Sequence, residues 1–209
     1  MDITYSSYKK ENYSHCEDLV NVAWGFDKLF KSESLRTIAK YLYTKGSLVS
    51  SNYRYVAVYE GVIVGFIFGF NSSRNKHRLA AVWLGLKATI DLSFKKMDKE
   101  EKNNFIEIIK NHQINRSKVI SGKNNEIVLF VVSPKFQGRG VGTKLWQGFR
   151  DYCSCSASSS IQVETNKAGA SAFYERLGFN HRADFYSPLH NLATEGGQAC
   201  IYEYIQKKI

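Results

Sequence analysis

Apolar positions along this chain recur at two spacings, and the switches between them mark out the elements. Leu19, Val22, Ala23 and Phe26 step at helical intervals behind Ser14-His15-Cys16-Glu17, whose ends have capping-box spacing, so a first helix is predicted from about residue 15. A second stripe, Leu35, Ile38, Ala39 and Leu42, predicts a helix that stops at Gly46. An aromatic connection, Trp24 to Phe30, lies between them. Tyr53 to Tyr59 and Val62 to Phe70 are β-branched and aromatic and meet at Glu60-Gly61. They predict a hairpin whose second strand, almost wholly apolar, is central.

Helical spacing then returns in Leu79, Val82, Trp83, Leu86 and Ile90, and in Phe105, Ile106, Ile108 and Ile109 behind Asp98 as a cap. Residues 72–122 therefore read as a helical insertion. Glu126 to Val132 is a strand, closed by Ser133-Pro134 because proline cannot donate to a ladder. It runs straight into Gln137-Gly138-Arg139-Gly140-Val141-Gly142. Val141, Leu145, Phe149 and Tyr152 mark a helix packed by one face. Ser160 to Glu164 is a short strand, Ala168 to Leu177 a helix stopped by Gly178, and Phe179 to Ser187 and Ala199 to Ile205 are the last strands. The expected fold is α/β (α+β): a mixed, mostly antiparallel central sheet of about six or seven strands flanked by helices, in one domain over residues 1–209.

Composition narrows the function classes. At 209 residues with 44% apolar and 23% charged side chains, the chain can bury a full core, which excludes disorder. Its longest nearly uninterrupted apolar run, Val62 to Phe70, is about half what a membrane-crossing helix needs. Met1 to Cys16 lacks the pattern of a secretory signal, so a cytoplasmic location is expected. Cys16, Cys153, Cys155 and Cys200 read as reduced thiols. The formal charge is +10, and residues 72–122 hold 11 basic against 5 acidic side chains. A surplus gathered on helices reads as a solvated face and argues against nucleic acid. His15, His77, His112, His181 and His190 form no paired-ligand spacing, so no metal site is expected.

The chemistry gathers at the glycine-rich turn. Between a buried strand and a helix, such a turn exposes consecutive N–H groups at the positive end of a helix dipole and so cradles an anion. Gly138, Gly140 and Gly142 leave a diphosphate unobstructed, and Lys135, Arg139 and Lys144 add positive charge. A Walker loop fails because Gly142 is followed by Thr143-Lys144-Leu145, and the dinucleotide fingerprint fails at Thr143.

The remaining pattern, Gln-x-x-Gly-x-Gly after a strand, resembles the general N-acetyltransferase (GNAT) superfamily. Glu126-Ile-Val-Leu-Phe-Val-Val-Ser-Pro-Lys-Phe-Gln-Gly-Arg-Gly-Val-Gly142 looks like that family's acetyl-CoA strand and pyrophosphate loop, and Asn166-Lys-Ala-Gly-Ala-Ser-Ala-Phe-Tyr-Glu-Arg-Leu-Gly-Phe179 like its later helix. The resemblance implies the family's acyl-CoA N-acyltransferase fold with acetyl-CoA as donor. It puts the backbone of Phe130, Val131 and Val132 on the pantetheine arm. Gln137, Gly138, Arg139, Gly140, Val141, Gly142 and Thr143 fall to the pyrophosphate. Asn166 falls near the cofactor, although it precedes Tyr174 by eight residues where seven is commoner. Tyr174 becomes the proton donor to the departing thiolate: Phe173 and Leu177 should face the core and Tyr174 clear it. Glu126, eleven residues before Gln137, becomes the base that deprotonates the incoming amine.

In similar proteins the acceptor pocket is walled by the connection between the first helices and by the final strand pair, which here means Trp24, Phe26, Phe30 and Tyr186 to Gln198. The expected activity is acetyl transfer to a primary amine, on a small molecule or a peptide, by direct attack in a ternary complex. The alternative is a non-catalytic CoA-binding sensor that engages a partner through the basic insertion. The insertion itself reads as a lid, a homodimer surface or a partner site.

Overall fold

The computed structural model describes residues 1–73, 98–120, 124–156, 158–193 and 197–206. Along the chain the described elements are β1 (Thr4–Ser7), α1 (Tyr13–Trp24), α2 (Phe26–Leu29), α3 (Glu33–Ser50), β2 (Tyr53–Tyr59), β3 (Val62–Phe70) and α4 (Lys99–Val119). They continue as β4 (Asn125–Val132), α5 (Val141–Cys153), β5 (Ser160–Asn166), α6 (Ser171–Arg176), β6 (Asn180–Tyr186), α7 (Pro188–Ala193) and β7 (Gln198–Ile205). The strands share one sheet in the order β1-β2-β3-β4-β5-β7-β6. Among the described strands only the β4–β5 contact is parallel, as a mixed, mostly antiparallel sheet requires.

Local signals set most boundaries. Asp98 caps α4 by accepting the N–H groups of Glu100 and Glu101 at 2.8 and 3.0 Å, as its position predicts. The capping box expected at Ser14 does not form. A 3-10 turn over Lys10–Asn12 starts the helix earlier, and Glu17 accepts the Tyr13 hydroxyl at 2.8 Å instead. Nor does Gly46 end α3. Leu48 extends the buried stripe of Leu35, Ile38 and Ala39, and that burial outweighs the cost of about 1 kcal/mol for a helical glycine. The stripe from Leu79 to Ile90 lies outside the described residues.

Two core clusters cover the two faces of the sheet. One gathers Cys16, Val20, Leu35, Ile38 and Phe105 under α1, α3 and α4; the other gathers Leu145, Trp146 and Phe149 under α5. β4 changes allegiance between them. Phe68 pairs with Leu129 but Gly69 with Ile127, which leaves Val128 as the extra residue of a β-bulge. Ile127 therefore packs on the α5 side, whereas Leu129 and Val131 pack on the α1 side. The four cysteines are free thiols, and among the described residues no helix is long and apolar enough to cross a membrane.

Candidate active site

β4 and β5 run together for three pairs, Asn125 with Ile161, Glu126 with Gln162 and Ile127 with Val163, and then separate. β4 continues along β3 as far as Val132, and β5 continues along β7 as far as Asn166. A wedge opens in mid-sheet, and alternate backbone N–H and C=O groups of residues 128–132 face it without a strand partner. A cavity of about 470 Å³ occupies the mouth, lined by Glu126 to Phe130, Val163 to Asn166, Trp24, Tyr43, Ser47, His112, Arg116, Tyr174, Leu189 and His190 among others.

The glycine-rich turn stands at one end of this wedge. Gly138 and Gly140 have φ of +73° and +79°, and a Cβ on either would meet nothing within 4 Å, so the backbone conformation alone calls for glycine. The first intrahelical bond of α5 is Lys144 N–H to Gly140 O at 3.0 Å, and no side chain caps the helix. The N–H groups of Val141, Gly142 and Thr143 thus have no intrahelical partner and form a donor set at a helix start. Val141 contributes only through its main chain, because its side chain is buried. Gln137 ties the turn to β4 by donating its side-chain amide to Val132 O at 3.2 Å. Arg139 lies exposed over the Phe136 ring. Phe173 packs edge-on against Phe130. Asn166, on the cavity wall, holds a buried Oδ1 without a hydrogen-bond partner. An uncapped helix start, an unpaired strand edge and an orphan acceptor fit a ligand with a diphosphate and an amide-bearing arm.

The other end of the cavity is built on charge. Arg116 donates from Nε to Glu164 Oε2 at 2.6 Å and from its second arm to Glu126 Oε1. Glu164 Oε1 accepts from His190 Nε2 at 2.8 Å and lies 3.7 Å from His112 Nε2. Ser187 caps α7 by accepting His190 N–H at 3.0 Å, and the same oxygen is 2.9 Å from His112 Nδ1. Burial pushes the Glu164 carboxyl up, yet the His190 hydrogen bond and the charges of His112, His190 and Arg116 outweigh it and hold the group below the usual range. Burial also lowers the His112 pKa, against the pull of Glu164. Trp24, the last residue of α1, sets its ring edge-on to both Tyr43 and His190, at 4.8 and 5.4 Å.

The structure thus gathers Trp24, Glu126, Phe130, Asn166 and Tyr174 around one cavity. Phe26 and Phe30 stay out of it. They stack on each other, and Phe30 meets Phe105 edge-on, so both are core. Tyr174 reverses the facing expected for α6: it is 5% exposed, while Phe173 and Leu177 are only half-buried. The short helix turns Tyr174 inward against Phe179, where burial pushes its phenol pKa up. From the expected segment at residues 186–198, Leu189 and His190 reach the cavity and Tyr186 is exposed. Sequence reasoning missed His112, Arg116, Glu164 and His190. The spacing of His112 and Arg116, four apart on α4, was the one available signal.

Solved structures share this architecture along nearly their whole length. PH1933 from Pyrococcus horikoshii OT3 superposes with a TM-score of 0.61 at 18% identity, covering 99% of each chain. The ribosomal-protein-S18-alanine N-acetyltransferase from Escherichia coli gives 0.52 at 14% identity, over 99% of this chain and 96% of that one. Aminoglycoside 6'-acetyltransferase type Ii gives 0.56 at 12%, over 97% and 96%. No curated protein matches the sequence. The profile of the acetyltransferase (GNAT) family matches residues 17–179 and so includes the wedge, the glycine-rich turn and Tyr174. The chain therefore belongs to the acetyltransferase (GNAT) family and is an acetyl-transferring enzyme.

Proposed function

We propose that the protein transfers acetyl from acetyl-CoA to a primary amine by direct attack within a ternary complex. The wedge between β4 and β5 carries this reading, because it leaves main-chain groups unpaired beside an uncapped helix start. Bound acetyl-CoA supplies an acetyl group activated as a thioester. The N–H groups from Gly138 to Thr143, with Gln137 and Arg139 beside them, would hold its pyrophosphate. The backbone of Phe130, Val131 and Val132 would hold the arm, and Asn166 would donate or accept nearby. An N–H of β4 would stabilise charge on the thioester oxygen.

Glu126 takes the proton of the incoming ammonium, directly or through water, since a protonated amine has no lone pair to attack with. As the C–N bond forms and the C–S bond breaks, the Tyr174 hydroxyl holds a proton for the departing sulfur. A thiolate of pKa about 8.5, by analogy with cysteine, is a weaker base than a phenolate, so Tyr174 gives its proton to sulfur only as it regains one, relayed from the nitrogen that has gained the acetyl group. Both residues line the same cavity. At about 470 Å³ that cavity suits a small amine or a peptide end. One sheet from Thr4 to Ile205 supports a single domain, with α4 inserted between β3 and β4.

Calorimetry with coenzyme A and acetyl-CoA, followed by thiol release over a panel of amines and peptides, tests the proposal. We expect saturable binding and an acetylated product by mass spectrometry. No heat at millimolar ligand, or binding without turnover on any amine, overturns it.

A further inference from the structure

Arg116 spans the two strands where they part. Glu126 lies in the last paired stretch of β4, and Glu164 is the first residue of β5 beyond the final pair, Ile127 with Val163. The guanidinium, brought in on α4, bonds both carboxylates. Glu126 is the more open of the two, with its side chain 32% exposed against 15% for Glu164.

A lone guanidinium beside a carboxylate orients it but also favours its ionised form, typically by one to three pH units, which weakens it as a base. A second carboxylate on the same guanidinium offsets that effect. Glu164 is built for the task. It is held on its other oxygen by His190 and faced by His112 and Tyr43, so it stays fixed and ionised. The described groups facing this cluster are Arg116 and His112 from α4, His190 from α7, Tyr43 from α3 and Tyr174 from α6. Both phenols are pushed up by burial and remain neutral.

We infer that Arg116 and Glu164 are a positioning pair for Glu126: Arg116 fixes its carboxylate at the acceptor cavity, and Glu164 shares the guanidinium so that Glu126 keeps its capacity to accept a proton. The inference rests on the reading of Glu126 as the base. It gives the inserted helix a specific task, completing the proton-accepting end of the site.

The two partners should act with opposite sign. Glu164→Gln leaves the guanidinium to Glu126 alone; Arg116→Gln leaves two carboxylates facing each other. The Glu126 side chain is followed by carboxyl-carbon NMR in protein labelled with carbon-13 glutamate, assigned by its absence in Glu126→Gln. In parallel, the pH dependence of kcat is measured with the panel amine acetylated fastest. We expect Glu164→Gln to move both the Glu126 titration and the acidic limb of kcat down by about one pH unit, and Arg116→Gln to move both up by a similar amount. The double variant should return both near wild type, with the coenzyme A dissociation constant kept within about twofold throughout. A structural role would not produce opposite signs. Shifts of the same sign, or a moved titration with an unmoved rate limb, overturn the inference. If Arg116→Gln does not fold, the sign for the isosteric Glu164→Gln decides alone. If the wild type acetylates no amine, the reading of the reaction falls, whereas the NMR titration still tests whether Arg116 and Glu164 act on Glu126 with opposite sign, which separates that failure from this one.

Discussion

Ile127 of β4 and Val163 of β5 are the last two residues that their strands hold in register. From that pair outward, each strand keeps only its outer neighbour. Buried main-chain groups without partners cost about 1–3 kcal/mol each, so a wedge in mid-sheet is retained where a ligand pairs them. The β-bulge at Val128 falls just past the same pair and turns Leu129 and Val131 to the face opposite Ile127.

A ligand that fills the wedge should stabilise the fold. At coenzyme A a hundredfold above its dissociation constant, we expect about 2.7 kcal/mol and an upward shift of several degrees in Tm by scanning calorimetry. An unchanged Tm at millimolar coenzyme A would count against a site between β4 and β5.

Gly140→Ala tests the turn. The added Cβ meets no atom, but φ of +79° strains an alanine by about 1–2 kcal/mol. The strain falls on the N–H groups that start α5. We expect coenzyme A affinity to drop about tenfold by calorimetry, while kcat at saturating acetyl-CoA stays near wild type.

Tyr174→Phe should lower kcat by about tenfold to a thousandfold and leave the coenzyme A dissociation constant near wild type. Because burial raises the phenol pKa, Tyr174 keeps its proton through neutral and mildly alkaline solution. A basic limb near pH 8–9, if seen, should therefore persist in the variant. Unchanged turnover would remove Tyr174 from the reaction.

Gly69 is a packing glycine. A Cβ there would sit 2.3 Å from Cε2 of Phe149, whose ring fills the space under α5. Gly69→Ala should cost about 1–3 kcal/mol in urea unfolding. Combining it with Phe149→Leu should recover part of that loss, and an additive double variant would contradict the contact.

Acid should weaken the fold in two windows. His112 has a folded pKa below the ordinary 6.5, so the unfolded chain takes the proton more readily and stability falls as pH drops below about 6.5. Glu164 has a folded pKa below its ordinary 4.5, so the stability that it contributes is present above that value and lost as pH falls further. Urea midpoints from pH 8 to about pH 3 should show both declines, and His112→Gln should flatten the first.

Read alone, the sequence determined what depends on neighbours a few residues apart: the hairpin at Glu60-Gly61, the Asp98 cap, the strand into the glycine-rich turn and the α5 face. These follow from backbone preferences and from periods of two and about four residues, which a linear reading can see. Tertiary structure decided the rest. Gly46 stayed helical and Tyr174 turned inward because burial against distant residues outweighed a local preference. Phe26 and Phe30 joined the core, although Trp24, next to them in sequence, reached the cavity. Arg116, Glu126, Glu164 and His190 come from four elements spread over 75 residues and meet only when the sheet closes. Coulomb attraction and shared hydrogen bonds depend on distance in space, and no spacing along the chain encodes that distance.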